Sequence, residues 1–319
     1  MRNLLNLVPS VSQYFSSRRD EKADPVRWRS PRRGGLRQRA IVFGCNCGLS
    51  IAQILWCFTA VSAGVLHPTA VRAIGAIGAT PGATPGAIVQ TPANAPAPLT
   101  KLLTAIDAAA NQRNVKAVMA FYSQNFTHSD GLNSRVMAKA LTQLWERYPN
   151  LNYRTELKSW TTEGSAIVAE TVTTITGTQK KDGIDLNLKA TIRSQQRFEG
   201  EKIVKQEILA EQTQLISGKN PPTVQVNLPE QVKVGEEYNF DVIVREPIGD
   251  DILIGTVVEE PITEKTFFKS SEVELELLNS GGIFKVGTAP ATPENRWISA
   301  VLMRQGGIAT VSVRLRVVK

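Results

Sequence analysis

The sequence predicts an α+β domain followed by an all-β sandwich, with a membrane-targeting segment ahead of both. Apolar residues recur at helical spacing over residues 99–149 and then at every second position over 151–216. Beyond Pro222 the chain consists of short stretches in which apolar and polar residues alternate, with no helical period. Thirty-two consecutive uncharged residues, 40–71, precede all of these patterns.

The uncharged run at 40–71 predicts a transmembrane or signal segment, because roughly 20 apolar residues suffice to cross a bilayer. No charge interrupts it on any face, whereas a helix on a protein surface would show a polar stripe. Anchoring and cleavage both remain open. Cleavage would follow Val61-Ser62-Ala63 or Val71-Arg72-Ala73, which both carry small or modest residues at the two positions that matter.

The first forty residues hold ten Lys and Arg against three acids, so they carry +7 of the chain's net +8. The near-neutral remainder argues against nucleic-acid binding. Positive charge just before an apolar span keeps that flank in the cytoplasm, which makes 1–39 a cytoplasmic tail. We therefore expect an exported or membrane-anchored bacterial envelope protein whose folded part lies in an extracytoplasmic compartment. The pair Arg32 and Arg33 is similar to a twin-arginine export signal, although Gly35 stands where a bulky apolar residue is usual.

All three cysteines, Cys45, Cys47 and Cys57, lie in the uncharged run, so no disulfide is expected beyond it. The chain has only two histidines, His67 and His128, far short of a tetrahedral zinc site. We predict neither a metal nor a cofactor. Residues 72–98 are rich in Ala, Gly and Pro without charge, which is typical of an extended tether.

The first folded domain is predicted at 99–218, with three helices ahead of an antiparallel meander of four strands. Asn114 and Ser134 suit the caps of the second and third helices. The predicted helices cover 99–113, 115–122 and 134–148, with Phe126 in a loop between the last two. The predicted strands are 151–161, 166–176, 184–198 and 202–216.

This pattern resembles the nuclear-transport-factor-2-like (SnoaL-like, ketosteroid-isomerase-like) family. The resemblance rests on Asn-Val-Lys-Ala-Val-Met-Ala-Phe-Tyr-Ser-Gln-Asn-Phe at 114–126, on Leu-Trp-Glu-Arg-Tyr-Pro at 144–149 and on the hairpin Arg-Phe-Glu-Gly-Glu-Lys-Ile at 197–203. It implies a cone, in which a curved sheet wraps the helices, and a homodimer through the cone sheet is a further expectation. It implies no single activity, because the fold hosts isomerases, dehydratases, hydrolases and binding modules.

Enzymes of this family place an acid/base pair inside the cone mouth. His128 follows Phe126 closely, yet its neighbours are also typical of an exposed turn. Glu170 lies in an apolar and threonine-rich strand, where it could face the cone with a raised pKa or face solvent. The candidates for catalysis are Tyr122, His128, Asp130, Tyr153 and Glu170.

Aromatic side chains are predicted to line the cone, as core and as possible ligand contacts. Two classes of function then stay open: non-enzymatic binding of a small ligand or protein partner, and a lyase or isomerase that transfers a proton on a hydrophobic substrate. The predicted lining residues are Phe121, Tyr122, Phe126, Trp145 and Trp160.

The second domain is predicted at 221–319 as an immunoglobulin-like sandwich of seven or eight strands, which could bind a protein partner. In its last strand, Val311, Val313 and Leu315 alternate with Ser312, Arg314 and Arg316. The short, proline-bearing linker 217–222 predicts that the two domains fold separately in a restricted orientation. Its predicted strands are 223–228, 231–234, 237–245, 252–258, 271–277, 283–286, 296–304 and 309–318.

Overall fold

The computed structural model describes residues 92–181, 183–249, 251–268, 273–278 and 281–319. The predicted tail, the targeting segment and most of the tether lie outside these residues. Within the described part of the chain, no helix is long and apolar enough to cross a membrane.

The described part of the chain begins with a 3-10 turn at Pro92–Asn94 and continues through helices and strands in the order expected of an α+β domain followed by a β domain. The helices are α1 (Ala97–Asn111), α2 (Val115–Met119), α3 (Ser134–Arg147) and α4 (Glu264–Phe268). The strands of the first domain are β1 (Tyr122–His128), β2 (Leu151–Glu163), β3 (Ala166–Lys181), β4 (Ile184–Glu199) and β5 (Lys202–Gly218). Those that follow are β6 (Val224–Asn227), β7 (Gln231–Lys233), β8 (Glu237–Val244), β9 (Ile254–Pro261), β10 (Glu276–Leu277), β11 (Gly282–Thr288), β12 (Glu294–Arg304) and β13 (Gly307–Val318).

Side-chain caps fix the starts of α2 and α3. The Asn114 side chain accepts a hydrogen bond from the Ala117 N–H at 2.9 Å, which confirms the predicted cap. At α3 the cap is Asn133, which accepts from the Val136 N–H at 3.0 Å, so the assignment of this role to Ser134 was wrong by one residue. Both helices bury apolar side chains in the same core, among them Val118 and Met137.

The meander of β2 to β5 is antiparallel throughout and alternates buried with exposed residues, as its period of two predicts. A correction concerns Phe126, which was predicted in a loop. It lies in β1, which runs parallel to β5 from the pairing of Tyr122 with Ile203 to that of His128 with Gln206. The predicted helix 115–122 accordingly ends early, at Met119.

The two predicted domains share one sheet. β13 pairs antiparallel with β5, from Gly307 opposite Gly218 to Val313 opposite Gln212. The result is a ten-stranded sheet, in which eight strands follow the order β10-β9-β12-β13-β5-β4-β3-β2 while β1 pairs with β5 and β7 pairs with β13. The close approach at the Gly307 end leaves no room for a side chain, because a Cβ there would lie 2.4 Å from Pro221. The local sequence pattern around 217–222 gives no sign of this continuity.

The β9, β12 and β13 part of the sheet is covered on both faces. One face packs against a three-stranded sheet, β11-β8-β6, through a core that includes Phe240, Ile298 and Val311. The opposite face, with Trp297 and Val301, joins the core of the first domain. The result is a two-layered β module whose main sheet continues the cone sheet.

Helix α4 corrects the prediction that no helix interrupts the second domain. Thr263 and Thr266 cap it reciprocally, since each backbone N–H donates to the hydroxyl of the other at 2.9 and 3.2 Å. Its Phe267 is fully buried and contacts Trp297, with ring centroids 6.4 Å apart. Of the strand predicted at 271–277, residues 271–272 lie outside the described ranges, residues 273–275 are irregular, and Glu276–Leu277 form β10.

Candidate functional site

The predicted catalytic residues lie on opposite faces of the cone sheet. Glu170 in β3 points outward and pairs with Arg193 of β4 at 3.1 Å, while its neighbours Ala169 and Thr171 are buried inside. Tyr122 and His128, in β1, are both buried. Glu170 therefore does not face the interior that His128 and Tyr122 occupy, and the structure does not bring the three together.

His128 is buried, which corrects its interpretation as part of an exposed turn. Its Nδ1 accepts a hydrogen bond from the Asp130 backbone N–H at 2.7 Å, and its side chain is 0 % exposed. Burial lowers the pKa of His128 to about 3, since the opposing effect of the Asp130 carboxylate is only partial and the Arg314 charge adds to the lowering. The imidazole is thus neutral at ordinary pH.

A buried charge cluster, formed by Asp130, Glu211 and Arg314, joins the two halves of the molecule. Arg314 donates from Nη1 and Nη2 to the two oxygens of Asp130, each at 2.8 Å. It also donates from Nε and Nη2 to Glu211 Oε2, at 3.1 and 3.0 Å. All three side chains are 1 % exposed. Arg314 comes from β13, whereas both carboxylates belong to the first domain.

Two further donors from β12 complete the coordination of these carboxylates. Asn295 Nδ2 donates to Asp130 at 2.7 Å, and Trp297 Nε1 approaches Glu211 Oε2 at 3.4 Å. Charged groups that are buried together are stable only when hydrogen bonds replace lost water. The donors to these carboxylates among the described residues, Arg314, Asn295 and Trp297, all come from the second domain. Asp130 and Glu211 are therefore neutralised across the domain boundary.

A β-bulge turns Glu211 into the cone. The pairing of β4 with β5 shifts between Arg193 opposite Ala210 and Ser194 opposite Ile208, so Leu209 has no partner. Without this extra residue, the side chain three positions after the buried Ile208 would face outward. With it, both Ile208 and Glu211 face the core.

The pKa shifts in the cluster follow from burial and from Arg314. Burial raises the pKa of Glu211, and the Arg314 charge compensates this only in part. For Asp130, burial also acts to raise the pKa, but the charge and the hydrogen bonds of Arg314 outweigh it and leave the pKa lowered. Burial works against the charge of Arg314, yet both carboxylates raise its pKa above the ordinary value. Glu211 is consequently the member of the cluster that most favours its neutral form.

The sequence pattern indicates neither Glu211 nor Arg314 as a site residue, and it shows Arg314 only as an alternating position of the last strand. Around Glu211 the inner face of the cone carries other polar groups, including Thr171 and Ser194, whose hydroxyls lie 3.2 Å apart. Glu211 Oε1 and Thr213 Oγ1 are buried without a hydrogen-bond partner in the described part of the chain. Inside the cone, the Glu211 carboxyl, whose pKa is raised, therefore lies among further polar atoms.

The predicted aromatic lining belongs largely to the core. Tyr122 and Phe126 pack edge to face with centroids 4.8 Å apart, and Trp145 Nε1 donates to the buried Tyr153 hydroxyl at 2.7 Å. Burial raises the pKa of Tyr153, so this hydroxyl stays protonated. The other two lining candidates, Phe121 and Trp160, are half-buried and pack against the same core. Side chains, including Phe267 and Trp297 of the second domain, fill this interior.

Two open grooves lie outside the cone interior. One, of about 680 Å³, is lined mainly by neutral polar residues of β2, β3 and β4, among them Asn152 and Asn187. The other, of about 550 Å³, lies between α3 and α4 and is lined by Arg135, Val136, Lys139, Glu264, Lys265 and Phe268. No group of His, Cys, Asp and Glu side chains suited to a metal ion occurs in the described ranges.

Residues 219–318 match a family described as a domain of unknown function (DUF8623). No curated protein matches the chain. Among solved structures, the chain is similar to Bd1075 of Bdellovibrio bacteriovorus, at 15 % identity and a TM-score of 0.25, over 34 % of this chain and 39 % of that one. It is also similar to an uncharacterised cystatin-fold protein of Novosphingobium aromaticivorans, at 18 % identity and a TM-score of 0.27, over 34 % and 94 %.

A third similar structure is a hypothetical protein of Catenulispora acidiphila with a ketosteroid isomerase-like fold, in complex with trimethylamine. Its identity is 15 % and its TM-score 0.26, over 37 % of this chain and 85 % of that one. The Novosphingobium protein has a cystatin fold and the Catenulispora protein a ketosteroid isomerase-like fold. Each matches only about a third of this chain.

Proposed function

We propose that this protein is a non-catalytic binding protein of the bacterial cell envelope. Residues 40–71 would hold it at the membrane, or release it by cleavage, with the folded body on the extracytoplasmic side. The basic tail ahead of the uncharged run supports that orientation. The proline-rich tether 72–98 would then keep the body at a distance from the bilayer.

The observation that carries this proposal is the closure of the cone by the second domain. Trp297 and Phe267 pack into the cone core, and Arg314 occupies the carboxylates of Asp130 and Glu211. An enzyme needs a titratable group within reach of its substrate. Because the Asp130 and Glu211 carboxylates already bind Arg314 of the same molecule, binding at the outer surface is the better-supported function.

Thiol labelling tests the closure. With the native cysteines replaced by serine, Thr213→Cys would place a thiol on a fully buried inner position, and Thr178→Cys would place one on an exposed position of the same sheet. We expect a maleimide to label Thr178→Cys rapidly and Thr213→Cys very slowly. Adding Trp297→Ala should accelerate labelling at position 213 alone. Equal labelling of the two positions in the otherwise unchanged protein would show an open interior and would refute the proposal.

Two protein contacts are part of this proposal. Phe284 and Val286 of β11 are 59 % and 65 % exposed, and large apolar side chains at a surface are typical of partner sites, which supports a partner on the sandwich. The outer face of the cone sheet, which carries the Glu170 and Arg193 pair, would form a homodimer. Light scattering of the purified chain measures its oligomeric state directly.

A cone-fold lyase or isomerase is the second candidate, favoured by one observation. Glu211 is a buried carboxyl with a raised pKa, as a general acid or base in an apolar pocket would be. For that function, the second domain would have to move away from the cone to admit a hydrophobic substrate. A turnover abolished by Glu211→Gln, with an unchanged circular dichroism spectrum, would establish this function in place of the first.

A further inference from the structure

The groove between α3 and α4 combines positive charge with an apolar surface. Arg135, Lys139 and Lys265 are exposed along it, and Glu264 is the one acid among its lining residues. Three positive charges and one negative charge leave a net charge of +2. The groove volume, about 550 Å³, falls within the range of small-molecule sites, which is roughly 300–1,000 Å³.

The cations of this groove are not neutralised by neighbouring carboxylates. In the described part of the chain, none of the three forms an ion pair with a carboxylate, Glu264 included. Arg135 and Lys139 lie one helical turn apart on α3, a spacing at which like charges repel each other. A bound anion between them would remove this repulsion.

The apolar part of the groove is positioned beside the cations. Phe268 is half-buried at the end of α4, and Lys139 Nζ lies 4.4 Å from the centroid of its ring. Val136 is buried next to Arg135. A ligand that places an anionic group among the cations could therefore pack an aromatic or apolar group against Phe268.

We propose that this groove binds a soluble organic phosphate monoester that carries an aromatic or apolar group. A phosphate monoester has a charge of about −1.5 to −2 at pH 7, which matches the +2 of the groove better than the single charge of a carboxylate does. Arg135 supplies the planar fork that suits phosphate oxygens, and the two lysines supply point charges. This inference rests on the proposed function, because it identifies the ligand class of a protein that acts by surface binding.

Isothermal titration of the full chain in neutral detergent with phenyl phosphate tests this inference. We expect saturable binding that weakens with added salt, weaker binding of inorganic phosphate and of benzoate, and none of phenol. Lys139→Gln and Lys265→Gln should each weaken the affinity about tenfold, the usual effect of losing one charge-assisted hydrogen bond. Lys189→Gln, at an exposed position of β4, is the matched control and should bind as the unchanged chain does.

Three results would overturn the inference. These are the absence of phenyl phosphate binding, an equal affinity of the unchanged chain and the Lys139→Gln variant, and binding that occurs only with anionic phospholipid in mixed micelles. The last would assign the groove to a lipid headgroup instead. Thiol labelling of the cone interior is unaffected by these variants, so failure here is distinguishable from failure of the proposed function.

Discussion

Arg314 binds both carboxylate oxygens of Asp130 at 2.8 Å, across 184 positions of the chain. This ion pair joins the last strand of the molecule to the turn that follows β1, and it lies inside the protein with each side chain 1 % exposed. A bidentate guanidinium and carboxylate pair fixes both distance and orientation. The relationship between the two predicted domains is therefore set by a buried contact, in addition to the shared sheet.

Arg314→Met should destabilise the protein strongly, because it leaves Asp130 and Glu211 buried without a counter-charge. Breaking one side of a buried ion pair costs about 3–5 kcal/mol in the free energy of unfolding. Arg316→Met is the control, since Arg316 pairs with Glu207 at 2.6 Å in a partly exposed position and should cost about 1 kcal/mol or less. Urea denaturation measures both, and equal losses would contradict the buried role of Arg314.

Loss of the buried Asp130 carboxylate should likewise destabilise the protein more than loss of the outward-facing Glu170 carboxylate. Asp130→Asn removes the charge that faces Arg314 inside the protein, with an expected cost of about 3–5 kcal/mol. Glu170→Gln removes an outward-facing partner of Arg193, each about a third exposed, so the cost should stay below about 1 kcal/mol. A larger loss for Glu170→Gln than for Asp130→Asn, again from urea denaturation, would contradict the assignment of the two faces.

The burial of His128 should make the stability of the fold depend on pH between pH 6.5 and 3. The unfolded imidazole titrates near 6.5, whereas burial lowers the folded pKa to about 3. Below pH 6.5 the unfolded state binds a proton that the folded state does not, so stability falls as the pH decreases. At pH 5 this amounts to about 2 kcal/mol relative to pH 7.

The comparison that isolates this effect uses His128→Asn, whose amide oxygen can replace Nδ1 as the acceptor for the Asp130 N–H. Glu211 acts in the opposite direction, since its raised pKa makes the folded state bind a proton first as the pH decreases. Subtracting the pH dependence of the His128→Asn variant from that of the unchanged chain removes the contribution of Glu211. Urea midpoints that decrease equally from pH 7 to pH 5 in both proteins would show that His128 is not the titrating group.

The regular parts of the fold could be predicted from sequence because their apolar period is long. The helix over 134–148 and the four strands of the meander are examples, and their order is as expected. β1 escaped prediction because its side chains do not alternate, and its pairing with β5 is a contact between distant segments. α4 has five residues, too few for a helical period to show.

The candidate site was harder to predict than the fold. Arg314 alternates with apolar residues, as a solvent-facing side chain would. Its face of β13 is buried only because the first domain packs against it in the folded protein. The inward orientation of Glu211 depends on the β-bulge at Leu209, which shifts by one residue the positions of β5 that face inward. No Gly or Pro marks this bulge in the sequence. Both residues acquire their environment from tertiary structure, which the local pattern does not contain.

The location of the folded body can be measured independently of its structure. We expect a reporter that is active only in the cytoplasm to be inactive when fused after Lys319, because the basic tail keeps only the amino-terminal flank inside. The same fusion to a chain lacking residues 1–71 is the control and should be active. Activity of the reporter on the full chain would refute the proposed topology.

Hydrogen exchange of the full chain, followed by mass spectrometry on peptides from β4 and β12, tests the central claim most directly. If the second domain closes the cone as part of one cooperative body, the slowest amides of both strands should exchange through the same global unfolding, with equal free energies of opening. Arg314→Met should lower both values together. If the amides of β12 instead exchange through a much less costly opening that leaves β4 protected, the two domains are separate units and the cone is not held closed.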